Sequence, residues 1–150
     1  MSTLRFQPVR PDDAVTLADW LRIHNLIIPT AVLSMDDMHQ RVRRNHLTVA
    51  YRGDTAVGCS TVRPPADDTK AATVIARILP EHRRQGHGQQ LYENALAEAY
   101  DLGADVIQTV VLASNEDGLR FAERRGFVEI DRYVLDGDTI PFIDLQLRPR

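Results

Sequence analysis

Apolar residues recur along the chain with two spacings, one typical of strands and one typical of helices. Short runs rich in β-branched and aromatic residues, bounded by proline, glycine or aspartate, predict seven strands. These strands cover residues 4–9, 47–52, 56–62, 74–79, 106–112, 127–135 and 142–147. Apolar residues spaced three and four apart predict four helices, over residues 14–26, 35–45, 89–102 and 115–125.

The first two helices follow the first strand and have recognisable ends. Asp12-Asp13 is a candidate N-cap for the first helix, which Pro29 brings to an end. Ser34 begins the second helix, which is short and ends near Asn45. The apolar residues expected to face inward from these two helices are Ala14, Leu17, Ala18, Leu21, Leu26, Met35, Met38 and Val42.

The stretch from Val74 to Leu102 is the centre of the predicted fold. It begins with an apolar strand that Pro80 ends, because proline has no N–H to offer a strand ladder. A turn rich in arginine and glycine follows, and then a helix that Gly103 ends in a left-handed conformation. The residues expected on the inner face of this helix are Leu91, Ala95, Leu96, Ala99 and Leu102.

The connections between strands predict how they pair. Gly53-Asp54 is a plausible hairpin turn between the second and third strands, and Asp136-Gly137-Asp138 joins the last two strands as a second hairpin. The helix between residues 74–79 and 106–112 predicts a parallel strand-helix-strand unit. Residues 106–112 are almost all apolar, so we expect both faces of that strand to be covered.

Composition narrows the class of protein. The chain of 150 residues fits one domain, and its 43% apolar and 26% charged residues are typical of a globular protein. A net charge of −3 gives no basis for general nucleic-acid binding. A single cysteine excludes an internal disulfide, and no apolar run resembles a secretion signal or a membrane span, so we expect a cytoplasmic protein.

The turn after Pro80 has the residues of an anion-binding site. Arg83-Arg84-Gln85-Gly86-His87-Gly88 contains two glycines immediately before a helix. Free N–H groups and the positive end of the helix dipole attract phosphate, and glycine lets the backbone approach closely. The two arginines add guanidinium donors suited to phosphate oxygens. The G-x-G-x-x-G fingerprint at the first strand and the Gly-Lys-Ser/Thr of a P-loop are both missing, so these nucleotide-binding motifs are excluded.

Two motifs resemble those of the GNAT superfamily of N-acetyltransferases. Arg83-x-x-Gly86-x-Gly88 matches the pyrophosphate-binding consensus of that family, and it lies between a strand and a helix as the family requires. Asn115, followed by Phe121 and Gly126-Phe127, is similar to a second family signature. The order of the predicted elements agrees over nearly the whole chain. The resemblance implies a mixed α/β fold with a mostly antiparallel sheet, in which parallel strands 4 and 5 splay apart to admit acetyl-CoA.

The resemblance also implies roles for individual residues. The backbone amides from Arg84 through Gln89 would hold the pyrophosphate of acetyl-CoA, assisted by Arg83. The Ile78 backbone would pair with the pantetheine arm, and its amide would face the thioester oxygen. Asn115 would bind the pantetheine arm, and Phe121 would pack against the cofactor. The implied cofactor-binding set is Ile78, Arg83, Arg84, Gln85, Gly86, His87, Gly88, Gln89, Asn115 and Phe121.

Two catalytic groups common in the family are missing from this sequence. Ala122 stands where many members have the tyrosine that protonates the departing thiolate, and residues 72–79 hold no carboxylate. Because a thiol has a pKa of about 8.5, coenzyme A can leave largely as thiolate with little help. Candidate substitutes for the acid are Tyr133, Tyr51 and a water held by Ser114. Candidate bases are a water chain, His82, Asp67 and Asp68.

Several other residues are better explained by structure than by chemistry. His82 and His87 lack partners for a metal site and are interpreted as polar loop residues. Cys59 is expected to be a small buried side chain rather than a nucleophile. The remaining such features are read as helix caps, an exposed helix end and core packing: Asp12-Asp13, Asp36-Asp37, Asp67-Asp68, Arg41, Arg43, Arg44, His46, Trp20, Met35 and Met38.

The sequence therefore predicts an N-acetyltransferase that uses direct attack of an amine on acetyl-CoA, without an acyl-enzyme. The acceptor would be a small-molecule or peptide amine that the sequence does not identify. The competing hypothesis is a non-catalytic acyl-CoA-binding module, because the tyrosine and the carboxylate are missing. The protein would be a monomer or, through the exposed edge of the last hairpin, a homodimer.

Overall fold

One mixed sheet with helices on both faces forms the structure. The computed structural model describes residues 3–66 and 68–148. The helices in that part of the chain are α1 (Ala14–Ile27), α2 (Met35–Arg44), α3 (His87–Asp101) and α4 (Glu116–Arg124). Its strands are β1 (Arg5–Pro8), β2 (His46–Arg52), β3 (Thr55–Arg63), β4 (Ala71–Ile78), β5 (Val106–Leu112), β6 (Phe127–Tyr133) and β7 (Phe142–Leu147). Single 3₁₀ turns lie at Pro29–Ala31 and Pro80–His82.

The strand order confirms the predicted fold class. The sheet runs β1-β2-β3-β4-β5-β7-β6, and every neighbouring pair is antiparallel except β4 and β5. Both predicted hairpins are present, with Gly53 and Gly137 in positive-φ conformations in their turns. The parallel ladder between β4 and β5 joins only Ala71–Thr73 to Val106–Gln108. Beyond Thr73 the two strands diverge, and a cleft opens between them.

One face of the sheet packs against α3 and α4. The buried residues of this core are Val62, Ala72, Val74, Tyr92, Ala95, Ala99, Ala104, Ile107, Ala122, Phe127, Ile143 and Leu145. Gly58 on β3 allows a close approach here, because a Cβ atom at this position would lie 2.6 Å from the Arg77 carbonyl oxygen. The predicted inner face of α3 is confirmed except for Leu102, which is exposed because it follows the last turn.

The other face packs against α1 and α2, around Trp20. This side chain is fully buried, and its indole Nε1 donates to the Ser60 carbonyl oxygen at 3.0 Å. The predicted inner face of α1 is wrong in its phase, because Ala14, Ala18 and Leu26 are exposed. The buried face of α1 includes two polar residues, so apolar spacing did not indicate it. The buried residues are Thr16, Leu17, Trp20, Ile23 and His24.

The ends of the first two helices are capped as predicted. Asp13 accepts hydrogen bonds from the amides of Val15 and Thr16 at the start of α1. Ser34 and Asp37 form a reciprocal capping box at the start of α2. Met38 is fully buried, but Met35 is 41% exposed, so the prediction that Met35 faces inward is wrong. It is the first residue of its helix, where the chain still points away from the sheet.

β5 differs from the fully covered strand that its composition predicts. Among its seven residues only Ile107 is buried, and the others are partly exposed. The expectation of two covered faces is therefore wrong, because β5 leaves β4 after Gln108 and its second half borders the cleft. No helix of the described residues is long and apolar enough to cross a membrane.

Candidate functional site

The divergence of β4 and β5 creates a cleft of about 710 Å³. Its walls are the second half of β4, the second half of β5, the turn that precedes α3 and the inner side of α4. Ile27 and Ile28 close the end nearest α1, while Arg120 and Arg124 lie at the opposite end. A long, thin ligand can therefore enter between the strands and reach both faces of the sheet.

The edge of β4 that faces the cleft carries unpaired backbone groups. The Leu79 amide donates to the Val57 carbonyl oxygen at 2.9 Å, so the groups of Leu79 point toward β3. Backbone groups alternate in direction along a strand, which turns those of Ala76 and Ile78 toward β5. Because the ladder with β5 ends at Thr73, these groups are free of strand pairing. An extended ligand in the cleft can bind them as a further strand would.

The turn between β4 and α3 presents a row of unpaired amides. No hydrogen bond from the backbone N–H groups of residues 84–89 to a protein acceptor is found within residues 3–66 and 68–148. Gly86 is the N-cap of α3 with φ of 80°, and no side chain caps the helix. Arg84 also has a positive φ, of 64°. Alternating left-handed residues and an uncapped helix start turn successive N–H groups toward one point, which is a geometry that binds anions.

Arg83 links this turn to the end of β4. Its Nε donates to the Ile78 carbonyl oxygen at 2.8 Å, which fixes the peptide on the C-terminal side of Ile78. The Gln85 side chain points away from the cleft and accepts from Arg52. The remaining guanidinium nitrogens of Arg83 and the side chain of Arg84 stay at the mouth of the cleft, where both residues are lining groups.

His87 differs from the polar loop residue that the sequence predicts. It is the first residue of α3 and is only 1% exposed, so that interpretation is wrong. Neither ring nitrogen has a hydrogen-bond partner among the described residues. Burial, together with the charges of Arg52 and His82, lowers the pKa of the ring, which keeps it neutral. The side chain lies beneath the turn, while its backbone amide belongs to the anion-binding row.

α4 supplies the opposite wall of the cleft. Asn115 caps this helix, because its Oδ1 accepts from the Gly118 amide at 2.9 Å. A Cβ atom at residue 118 would lie 2.5 Å from Asn115 Nδ2, so this cap requires glycine. Phe121 packs edge-on against Tyr92 and lies under the Arg125 guanidinium at 4.2 Å. Asn115 Nδ2 remains available as a donor beside an aromatic wall.

The structure brings most of the predicted binding residues into this cleft. Eight of the ten line it, namely Ile78, Arg83, Arg84, Gly86, Gly88, Gln89, Asn115 and Phe121. The side chains of Gln85 and His87 do not, and only their amides belong to the site. The assignment of these ten residues to a cofactor stays a prediction.

None of the candidate proton-transfer residues that the structure describes lines the cleft. Tyr51 is directed elsewhere, with its hydroxyl donating to Asp19 at 2.6 Å. Tyr133 donates to Asp144 at 3.1 Å and stacks on Phe142, which does line the cleft. Ser114 and Asp68 are exposed, and His82 is partly exposed within the 3₁₀ turn. Asp67 lies outside the described residues.

Several residues of the cleft lie outside the motifs that the sequence shows. Arg77 lines it from within β4, and a charged residue inside a run of apolar strand residues was the available signal. Tyr92 lies one helical turn after Gly88, and burial raises the pKa of its hydroxyl to about 12. The other lining residues that the motifs did not indicate include Thr109, Asp117, Arg120, Arg124, Arg125 and Phe142.

Two kinds of chemistry have no support at this site. Cys59 is buried outside the cleft, and burial raises the pKa of its thiol to about 12, so it is not a nucleophile at neutral pH. No group of three or more metal-ligating side chains occurs among residues 3–66 and 68–148. The arrangement instead suits a substrate that carries an anion at one end and a peptide-like arm at the other.

Comparison with known proteins identifies one family. A family model described as "Acetyltransferase (GNAT) family" matches residues 16–127, which include both the β4–α3 turn and α4. No match is found among curated protein sequences.

Solved structures with the same fold cover nearly the whole chain. A ribosomal-protein-alanine N-acetyltransferase from Brucella melitensis is 17% identical, with 95% of this chain and 98% of that chain covered at a TM-score of 0.76. An N-acetyltransferase from Staphylococcus aureus Mu50 is 14% identical, covers 97% and 98%, and has a TM-score of 0.76. The structure of yncA from Salmonella typhimurium with its cofactor acetyl-CoA is 14% identical, covers 98% and 94%, and has a TM-score of 0.73.

Proposed function

Because the chain belongs to the acetyltransferase (GNAT) family, we propose that it transfers an acetyl group from acetyl-CoA to the nitrogen of a primary amine. Acetyl-CoA is the acyl donor of this family. The observation that carries the proposal is the juxtaposition of six unpaired amides, at residues 84–89, with the free edge of β4 in one cleft.

The diphosphate of the donor binds at the turn before α3. The amides of residues 84–89 converge there without protein acceptors, and the helix dipole adds a partial positive charge. Arg83 and Arg84 add donors that suit phosphate oxygens. Three further arginines at the same mouth, Arg120, Arg124 and Arg125, suit the remaining phosphate of the donor.

The pantetheine arm runs between β4 and β5. Its amide groups pair with the backbone groups of Ala76 and with the amide of Ile78, as an added strand would. The Ile78 carbonyl oxygen already accepts from Arg83. Asn115 Nδ2 donates to the arm from the opposite wall while Oδ1 continues to cap α4. Phe121 covers the arm with an aromatic surface that Arg125 and Tyr92 hold in place.

The Ile78 amide faces the thioester oxygen and stabilises the negative charge that develops there when an amine attacks. Donors of this kind contribute about 3 kcal/mol in other acyl-transfer sites. Arg83 supports the geometry, because its hydrogen bond to the Ile78 carbonyl oxygen fixes the end of β4.

Proton transfer in this cleft uses weak or remote groups. The lining hydroxyl of Tyr92 has a pKa of about 12 and is a poor acid at neutral pH. The pKa of Tyr133 is raised as well, by burial first and then by Asp144. We infer that coenzyme A leaves largely as thiolate and that water removes the proton of the amine. Attack is direct, which the buried and protonated Cys59 thiol supports.

The test compares substitutions at two glycines that have similar positive φ angles. Gly86→Val places a branched residue at φ of 80° in the amide row, and Gly137→Val does the same at φ of 86° in a distant hairpin turn. Both should lose about 1 to 2 kcal/mol of stability from backbone strain. Only Gly86→Val should lose coenzyme A affinity, by tenfold or more in isothermal titration calorimetry. Equal affinity in both variants would contradict the proposed diphosphate site.

The competing function is a non-catalytic acyl-CoA-binding module, which the alanine at position 122 favours. Release of free thiol from acetyl-CoA, measured with and without a panel of amines, distinguishes the two. An enzyme releases thiol in proportion to the amine, whereas a binding module retains the donor intact. A cytoplasmic location and the oligomeric state stay predictions.

A further inference from the structure

Arg77 is a partly buried arginine in the middle of the sheet, with no carboxylate partner among residues 3–66 and 68–148. It pairs with Cys59 across the β3–β4 ladder, so both side chains lie on the face that packs against α1 and α2. The ion pairs found among the described residues involve other side chains, and none within 4.0 Å includes Arg77. Its guanidinium also makes no hydrogen bond to a protein acceptor in that part of the chain, yet Arg77 lines the cleft.

Two more arginines act electrostatically on Arg77. Arg63 pairs with Thr73, an even number of residues from the Cys59–Arg77 pair, which puts Arg63 on the same face of the sheet. Arg41 comes from α2, which packs against the neighbouring strand β2. Burial is the largest cause of a lowered pKa at Arg77; Cys59 opposes it, and the charges of Arg41 and Arg63 lower the pKa further. The charges of Arg41 and Arg63 therefore add to the positive potential at Arg77, and we call the three residues the arginine cluster. Of the three, Arg77 lines the cleft.

Within the described part of the chain, little negative charge compensates the arginine cluster. Asp37 on α2 acts on Arg41 but forms no ion pair with it within 4.0 Å. On the hairpin side, Asp144 accepts a hydrogen bond from Tyr133 rather than from an arginine. A partly buried charge without a partner is unfavourable, and like charges nearby add to that cost. An oxyanion from solution would remove both penalties, since guanidinium binds carboxylates in a bidentate manner.

We propose that the acceptor amine carries a carboxylate or a similar oxyanion, which binds to Arg77 at the α1 end of the cleft. This inference rests on the proposed function, because it assigns the substrate class of the same site. Arg41 and Arg63 strengthen the local positive potential, and Arg77 makes the contact.

The position of Arg77 also limits the size of the acceptor. Arg77 immediately precedes Ile78, whose amide is proposed to hold the thioester oxygen. The distance between an anion on this guanidinium and the reacting carbon is therefore about the length of one arginine side chain. The spacer between the amine and the anion is short, as in a small amino acid, and Ile27 and Ile28 add an apolar boundary.

The first experiment compares anionic acceptors with their neutral amides. Thiol release from acetyl-CoA is measured with glycine and glycinamide, with β-alanine and β-alaninamide, and with 2-aminoethylphosphonate. We expect kcat/KM to be at least tenfold higher for an anionic acceptor than for its amide. Higher activity with the phosphonate than with both amino acids would identify the anion as phosphonate-like and would still support an oxyanion at Arg77. Equal or higher activity with the amides would overturn this inference and leave the acetyltransferase proposal intact.

Variants assign the anion site to its residue. Arg77→Gln should raise KM for the anionic acceptor by about ten- to hundredfold, with little change in kcat or in coenzyme A affinity. Arg77→Lys should have an intermediate KM, because lysine keeps the positive charge but cannot bind a carboxylate in the bidentate manner of a guanidinium. Arg43→Gln removes an exposed arginine from α2 and should change nothing. An unchanged KM in correctly folded Arg77→Gln would contradict the assignment.

A binding measurement does not depend on turnover. With coenzyme A present to fill the turn before α3, propionate is titrated against labelled wild-type protein while the Arg77 Nε–H resonance is followed by NMR. We expect a saturable shift with propionate and none with sodium chloride at equal ionic strength. No shift with propionate would overturn the anion site, whereas failure to bind coenzyme A would count against the proposed function instead.

Discussion

His24 is a buried histidine whose surroundings are cationic. It is 4% exposed, stacks on Trp20 with ring centroids 5.3 Å apart, and its Nδ1 lies 3.0 Å from Asn25 Oδ1. Burial is the largest cause of a pKa of about 4, which the Asn25 contact opposes and the charges of Arg77 and Arg41 support. The ring is therefore neutral at pH 7, and protonating it opposes folding.

Replacing His24 by phenylalanine should make stability less dependent on pH. The folded pKa of about 4 lies below the unfolded value of 6.5, so the unfolded state binds more protons between these values. The contribution of His24 to wild-type stability is fully present above pH 6.5 and falls by about 2 kcal/mol, allowing for solvent screening, as the pH drops to 4. His24→Phe keeps an aromatic ring against Trp20, and its urea unfolding curves should show a smaller decrease. Parallel losses in both proteins would contradict this account of His24.

Single residues show where sequence reasoning succeeds and where it stops. The caps at Asp13 and Ser34 could be predicted, because capping depends on residues within one turn of the helix. The burial of His87 could not, since it depends on packing against distant parts of the chain. Arg77 was missed for the same reason. A charged residue in an apolar strand is noticeable, but only the register with Cys59 shows which face it occupies.

At the scale of elements, the start of α4 serves two purposes. Asn115 lines the cleft and uses Oδ1 to cap the helix, while Nδ2 makes no hydrogen bond within the described residues and is the proposed donor to the pantetheine arm. The glycine at position 118 makes this possible by leaving room for the amide group. The stability of α4 and the proposed contact with the donor thus depend on different atoms of one side chain.

Two substitutions at Asn115 should separate these roles. Asn115→Asp keeps an oxygen for the Gly118 amide, so stability should change little while coenzyme A affinity falls about tenfold. Asn115→Ala removes both groups and should also lose about 1 kcal/mol in thermal or urea unfolding. Ser34→Ala, which removes the cap of α2, is the control and should lose stability alone. Undiminished coenzyme A affinity in Asn115→Asp would exclude a role for Nδ2.

Elements were more predictable than their orientation. Apolar spacing located the helices and strands, but it gave α1 the wrong inner face because Thr16 and His24 are polar residues on the buried side. The parallel β4–α3–β5 unit followed from chain order. The point where pairing ends, after Thr73 and Gln108, has no local sequence signal, because it reflects how two sheet halves twist apart.

At the scale of the whole molecule, the sheet is interrupted where the cleft begins. β4 pairs with β3 along most of its length but with β5 over only three residues. β5 pairs on its other side with β7, which forms a hairpin with β6. A bound donor that bridges the gap would join the two parts of the sheet. Because it binds only the folded state, it would also raise the free energy of unfolding.

Hydrogen exchange should reveal this bridging. On addition of coenzyme A, exchange should slow at the amides of Ala76, Ile78 and residues 84–89, which gain acceptors. Amides in the β2–β3 ladder should change little when measured under conditions of local opening. Thermal unfolding should shift upward, by an amount equivalent to about 2.7 kcal/mol at a hundredfold excess over Kd. Uniform slowing across the sheet would indicate global stabilisation without the proposed contacts.

The buried position of Cys59 has a practical consequence for assays of this protein. It is the only cysteine in the chain and is 1% exposed within the sheet. A disulfide reagent such as Ellman's should therefore give no colour with the native protein, so that any colour during turnover comes from the product alone. In denaturant, the rate at which the same reagent labels Cys59 should report the rate of unfolding, since the thiol is accessible only after the core has opened.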